Sequence, residues 1–146
     1  MIEVVNEHHG IINQFLGDGF MATFGAPISK GNDAANSVQA AQNIIKRVAE
    51  AIQAGRIPQT RIGIGIHTGQ AITGNIGTAI RKQYSITGNV VILASRIEQL
   101  NKKYHSQLII SKEVYSRIKN IPDNYVSLGA VAVKGREEPI SLYRLS

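Results

Sequence analysis

The chain has 146 residues, room for one hydrophobic core and not for a second independent domain. With 43% hydrophobic and 18% charged residues, it has the balance of a globular protein and not of a disordered one. No apolar run approaches the ~18 residues of a membrane span, and Met1 to Glu7 lacks the basic-then-apolar order of a signal peptide.

The absence of cysteine excludes disulfides, thiolate metal sites and cysteine nucleophiles, and makes the reducing cytoplasm the expected compartment. The net charge of +6 is unevenly spread. Residues 1–60 carry 4 Lys/Arg against 5 Asp/Glu and residues 61–146 carry 12 against 5, net charges of −1 and +7. The second half therefore attracts anions, whether nucleic acid, acidic lipid or the phosphates of a nucleotide. Nucleic acid is disfavoured because Tyr and Phe are scattered in core-like positions and do not interleave with the basic residues.

In chain order, residues 2–8 read as the end of a helix stopped at Gly10. Ile11 to Leu16 and Phe20 to Phe24 are strand-like runs separated by Gly17-Asp18-Gly19, a hairpin turn with Asp18 at its tip. Ala34, Val38, Ala41, Ile45, Val48 and Ile52 recur at steps of four and three, the apolar stripe of a long helix. Asp33 stands at its start, and Gly55 with Pro58 ends it.

Arg61 to His67 alternates isoleucine with Gly63 and Gly65, giving a strand bare on one face, which invites close approach by another element or a ligand. Gln70 to Ile76 reads as a returning strand, residues 78–84 as a basic loop, and Asn89 to Leu100 as a helix. A buried strand over Leu108 to Ile110, a short helix from Lys112 to Ile118, and strands at Tyr125 to Val133 and Ile140 to Leu145 close the chain. Hairpin strands with intervening helices predict an α+β fold, helices packed on a mostly antiparallel sheet.

Three places carry candidate chemistry. Asp18, a carboxylate between two glycines, suits Mg²⁺, which takes one or two carboxylates plus substrate phosphates; aspartate is also simply a common turn residue. The junction at Gly88 opens a helix whose Ile92 and Arg96, four apart, share a face, so Arg96 can reach a phosphate held there or stand solvated. In Val133-Lys134-Gly135-Arg136 two cations flank a glycine at a turn, which fits phosphate binding or a solvated turn. The histidines have no metal-ligand spacing, and His8, His9 and His67 read as structural. Walker and dinucleotide glycine motifs are absent.

Taken in order, Phe15-Leu16-Gly17-Asp18-Gly19-Phe20 through Gly25, Arg61 to Gly69, Gly74-Asn75-Ile76-Gly77, Gly88 to Glu98 and Leu128 to Gly135 resemble the class III nucleotidyl cyclase catalytic domain. The resemblance spans nearly the whole chain and implies one domain over 1–146 with a ferredoxin-like βαββαβ-type fold. The family's first strand and helix, which carry the first metal-binding aspartate, would precede Met1, so an N-terminally truncated domain is expected. The implied activity is conversion of ATP or GTP to the 3′,5′-cyclic nucleotide and pyrophosphate with Mg²⁺ or Mn²⁺, in intracellular signalling. The site would form between two domains paired head to tail, as a homodimer or with a partner cyclase domain. No membrane contact by this domain is expected. The alternative is a degenerate cyclase-homology module that binds nucleotide or a partner domain without catalysis.

By motif position the resemblance makes Asp18 the second metal-binding aspartate, Arg96 the residue that steadies the triphosphate in the transition state, and Lys134 a phosphate contact. Gln14 and Ser85 fall where the family selects the base, yet neither matches its usual residues. Ile92 replaces a transition-state asparagine and can neither donate nor accept a hydrogen bond.

Overall fold

In the computed structural model, residues 1–26, 29, 31–70, 72–76, 83–119, 124–134 and 136–146 are described, with backbone alone at 72–76 and 83–87. The expected loop at 78–84, Gly77 and Gly135 lie wholly or mostly outside these residues.

The chain opens with α1 (Ile2–Glu7), β1 (Gly10–Leu16) and β2 (Gly19–Phe24). Gly10 begins a strand and does not cap the helix. The left-handed residue that turns the chain is His9, at φ 67°. Glycine is required at position 10 because a Cβ there would stand 2.6 Å from the Phe24 ring and 2.8 Å from Val5. β1 and β2 pair antiparallel, with Leu16 opposite Gly19 and a register shift between Ile12 and Gln14.

The stripe of small and apolar residues produces α2 (Asp33–Gln53), with Asp33 in its first turn. Its core-facing surface is wider than one stripe. Val38 and Ala41 pack as expected, but Ala40 and Ile44 are also buried, against α1 and the hairpin. α2 thus serves two layers. Gly55 follows the helix at φ 74°, in the left-handed region typical of a helix stop.

The isoleucine and glycine run gives only three residues of strand, β3 (Ile64–Ile66). β4 (Ile72–Ile76) does not return alongside it. β4 pairs antiparallel with β5 (Gln83–Thr87), a strand the polar sequence did not announce, and Gly74 lies opposite Ser85. α3 (Asn89–Tyr104), β6 (Leu108–Ser111), α4 (Lys112–Tyr115), β7 (Val126–Val131) and β8 (Ile140–Arg144) complete the order. α4 is a single turn and stops short of Ile118.

Four strands form one sheet in the order β3-β6-β8-β7, with β3 and β6 parallel and the other two pairs antiparallel. Strand alternation divides the core between its faces. Ile109, Ile140 and Leu142 meet Leu93 and Ile97 of α3, whereas Leu108, Ile110 and Leu145 meet Val38 and Ala41 of α2 and Val114 of α4. This is the expected α+β arrangement of helices on a mostly antiparallel sheet.

Gly63 and Gly65 explain how α3 lies on the sheet. A Cβ at Gly65 would stand 2.7 Å from the Ala94 carbonyl oxygen, and one at Gly63 2.7 Å from Glu98 Oε1. The bare face of β3 is therefore filled by a helix backbone and not by a ligand. Asn101 fastens the contact, its Nδ2 donating to the Ile64 carbonyl at 3.1 Å while its Oδ1 accepts from Ser106 Oγ at 2.8 Å.

Candidate functional site

The hairpin fixes Asp18 by geometry. With Leu16 opposite Gly19, the turn has two central residues, and the first, Gly17, adopts φ 59°. A glycine with positive φ at that position matches the twist of the flanking strands. Asp18 is exposed at the tip and borders an open groove of about 520 Å³ lined by Met1, Ile2, Phe15 and Phe20. Phe15 is 65% exposed and Leu16 51%, so the carboxylate stands beside an apolar surface.

Asp18 has an acidic neighbour that sequence reasoning missed. Glu98 lies along Gly63, and its carboxyl is held above the usual range, first by burial and to a lesser extent by the Asp18 charge, against the opposing pull of Lys102. Like charge and desolvation both disfavour the ionised carboxylate. The bare glycine face of β3 was the signal for a close neighbour, but periodicity did not identify Glu98.

Gln14 is exposed on β1, immediately after the register shift, and pairs with Met21. β1 lies against β5, so the backbone positions of Gln14 and Ser85 fall on neighbouring strands. The side chain of Ser85 lies outside the described residues.

α3 carries Ile92 and Arg96 one turn apart. Ile92 is 50% exposed, an apolar side chain presented to solvent. Arg96 is half-buried and Lys134 exposed. Lys134 follows buried Val133 in a turn closed by the Arg136 N–H donating to the Val133 carbonyl at 3.2 Å. Among the described residues no hydrogen bond or ion pair joins Asp18, Arg96 and Lys134.

A metal would find one ligand at the hairpin tip. Among the described residues there is no group of three His, Cys, Asp or Glu side chains able to hold an ion. Asp18 alone suits a cation that takes its remaining ligands from phosphate oxygens, from water or from another segment.

A second cluster surrounds His67, which the sequence marks only as structural. Its Nδ1 lies 2.8 Å from Ser111 Oγ and 3.8 Å from Glu113 Oε2. Glu113 Oε1 is 3.8 Å from Arg136. Burial lowers the His67 pKa, opposed by the Glu113 charge and assisted by that of Arg136. The imidazole is therefore neutral near neutrality. Ser111 is fully buried, so the group is no exposed nucleophilic triad.

The chain is an α+β domain that presents a glycine-flanked aspartate at an exposed hairpin tip. The adenylate and guanylate cyclase catalytic domain profile matches residues 1–146, and the chain belongs to that family. Adenylate cyclase 1 of Rhizobium meliloti is 34% identical over 146 residues, covering 98% of this chain and 22% of the relative. An uncharacterized protein of Mycobacterium tuberculosis is also 34% identical, over 97% of this chain and 26% of its own length. The chain thus spans about a quarter of these curated relatives. Among solved structures, the adenylyl cyclase CyaB from P. aeruginosa superposes with a TM-score of 0.77 at 32% identity, over 99% of this chain and 75% of that one. The guanylyl cyclase Cya2 superposes at 0.78 with 29% identity, over 98% and 73%.

Among the described residues no helix is long and apolar enough to cross a membrane.

Proposed function

We propose that this domain contributes to a nucleotidyl cyclase site that converts ATP or GTP to the 3′,5′-cyclic nucleotide and pyrophosphate in cytoplasmic signalling. The observation that carries this reading is the placement of Asp18 on a two-residue glycine turn, exposed beside a groove, in a chain that matches the cyclase family throughout. In the reaction the ribose 3′-oxygen loses its proton and bonds to the α-phosphorus. The bond from that phosphorus to the oxygen bridging to the β-phosphate breaks, and pyrophosphate leaves with the electron pair.

Mg²⁺ or Mn²⁺, when bound, supplies charge neutralisation of the phosphates and acidifies the attacking hydroxyl. Asp18 would hold such an ion from the protein side. Arg96, a planar donor fixed to a helix, is suited to steady charge developing on the triphosphate, and exposed Lys134 to hold a terminal phosphate. Gln14 and Ser85 stand where the base is chosen. Asp18 and Lys134 are both exposed, and no hydrogen bond or ion pair among the described residues joins them to Arg96, which fits a site shared by two domains paired head to tail, either two copies or this domain with a partner cyclase domain.

Ile92 favours a second reading, a degenerate module that binds nucleotide or a partner without turnover. Its exposed apolar side chain offers no hydrogen bond at the position of the family's asparagine.

Cyclic nucleotide formation by the full-length protein with ATP or GTP and Mn²⁺, beside Asp18→Ala, separates these readings. Turnover that Asp18→Ala abolishes establishes the cyclase. Triphosphate binding without turnover establishes the degenerate module.

A further inference from the structure

The cluster around His67 is tied to the turn that bears Lys134. Val133 is sunk in the core on one side of that turn, and its carbonyl accepts the Arg136 N–H at 3.2 Å. On the other side, the Arg136 guanidinium faces Glu113 Oε1 at 3.8 Å. Glu113 is placed by α4, which begins directly after Ser111 of the central strand β6. Lys134 is therefore exposed on a turn anchored in the core at Val133 and facing Glu113 of α4 at Arg136.

We infer that Glu113, acting through Arg136, is a positioning residue that holds this turn and aims Lys134 at a triphosphate. The inference deepens the cyclase reading and rests on it for the identity of the anion. Three features of the cluster support it. Glu113 Oε2 is buried with no hydrogen bond among the described residues, although the side chain as a whole is 40% exposed, so this oxygen gains from nearby positive charge. Among the described residues His67 and Arg136 face the carboxylate, and the His67 Nδ1 is already engaged by Ser111 Oγ at 2.8 Å. Burial keeps His67 neutral, which leaves Arg136 as the charged partner among the described residues. The attraction across 3.8 Å is thus directed at the residue that closes the turn.

Local displacement of a phosphate-holding group by about 1 Å costs on the order of 10²-fold in rate. The test is a double-mutant cycle in the full-length protein with Glu113→Gln, Lys134→Ala and the pair, reading kcat/KM with Mn²⁺ and triphosphate. It is combined with amide hydrogen exchange at Arg136. The expected result is a loss of kcat/KM of up to about 10²-fold for Glu113→Gln, no further loss when Lys134 is already alanine, and lost protection of the Arg136 amide.

Arg136→Met removes the other half of the pair and is expected to give the same signature; it decides the matter if Glu113→Gln does not fold. Additive losses overturn the inference, as does kcat/KM unchanged by either variant or an Arg136 amide protected as in the wild type. A wild-type protein that neither binds nor turns over triphosphate overturns the cyclase reading instead, and the exchange arm then decides by itself whether Glu113 holds the turn.

Discussion

Gly65 of β3 passes beneath Ala94 of α3 so closely that a methyl group on it would stand 2.7 Å from the Ala94 carbonyl oxygen. The obstruction is helix backbone, which cannot rotate away as a side chain can. Gly65→Ala is therefore expected to lift α3 from the sheet and destabilise the fold by about 1–3 kcal/mol, as overpacking does. The check is the urea midpoint of the variant. A midpoint equal to the wild type would mean that α3 is free to shift.

Asn101 makes the polar counterpart of this contact. It is 4% exposed, donates to the carbonyls of Ile64 at 3.1 Å and Glu98 at 3.0 Å, and accepts from Ser106, itself 2% exposed. Asn101→Ala strands the Ser106 hydroxyl in the interior and removes the second of two donors at the Ile64 carbonyl, which keeps its ladder bond to β6. A loss of about 1–3 kcal/mol is expected, the penalty for buried polar groups left unpaired. Adding Ser106→Ala should recover part of it, which denaturation of the double variant measures.

These contacts show which parts of the fold were legible in sequence. Isoleucine alternating with Gly63 and Gly65 announced a strand with one bare face, and Gly17-Asp18-Gly19 announced a tight turn, because both rest on local backbone sterics. What lay against the bare face depended on a helix about thirty residues later, and no local pattern encodes such a distant pairing. β5 was missed although Gln83 to Thr87 alternates polar with apolar residues, because its first two residues were read into the basic loop at 78–84 and its pairing with β4 is not a local signal. The second buried face of α2 was obscured because Ala40 carries little hydrophobic signal beside Val38 and Ile45.

The candidate site divides along the same line. Asp18, Arg96 and Lys134 could be marked from motif order, whereas Glu98, Glu113 and Arg136 acquire significance only from neighbours brought together by folding. A lone glutamate in a polar helix turn reads as a solvated residue.

His67 gives the stability a defined pH dependence. Burial lowers its pKa from the ordinary 6.5, so the unfolded chain takes up the proton first on acidification. Stability is then fully present above about pH 6.5 and falls as pH descends from there toward the folded-state pKa. His67→Gln should flatten this part of the profile, measured as Tm against pH. A profile of unchanged slope would mean that His67 titrates as it does in the unfolded chain.

Glu98 acts in the opposite sense. Its folded-state pKa is raised above the ordinary 4.5, chiefly by burial, so the folded chain holds the proton more tightly. Its favourable contribution is complete below about pH 4.5 and is lost as pH rises through the folded-state value. Glu98→Gln is expected to raise Tm at neutral pH relative to wild type and to leave it nearly unchanged in acid. An equal change at both pH values would assign the effect to packing alone.

Ile92 offers the most direct route from structure to activity. It is 50% exposed on α3, one turn from Arg96, so replacing it removes little buried apolar area. Ile92→Asn should change stability by no more than about 0.5 kcal/mol, as a surface substitution away from special features does. In the cyclase reading it also restores a hydrogen-bonding side chain beside the transition-state arginine. Such preorganised contacts are worth about 10²–10³-fold in kcat. The expected outcome for the full-length protein with Mn²⁺ is therefore a rise in kcat with little change in KM, because the added bond acts on charge that develops in the transition state. A gain confined to KM would place the new amide against the bound substrate. No change in either constant would show that residue 92 lies away from the reacting phosphate.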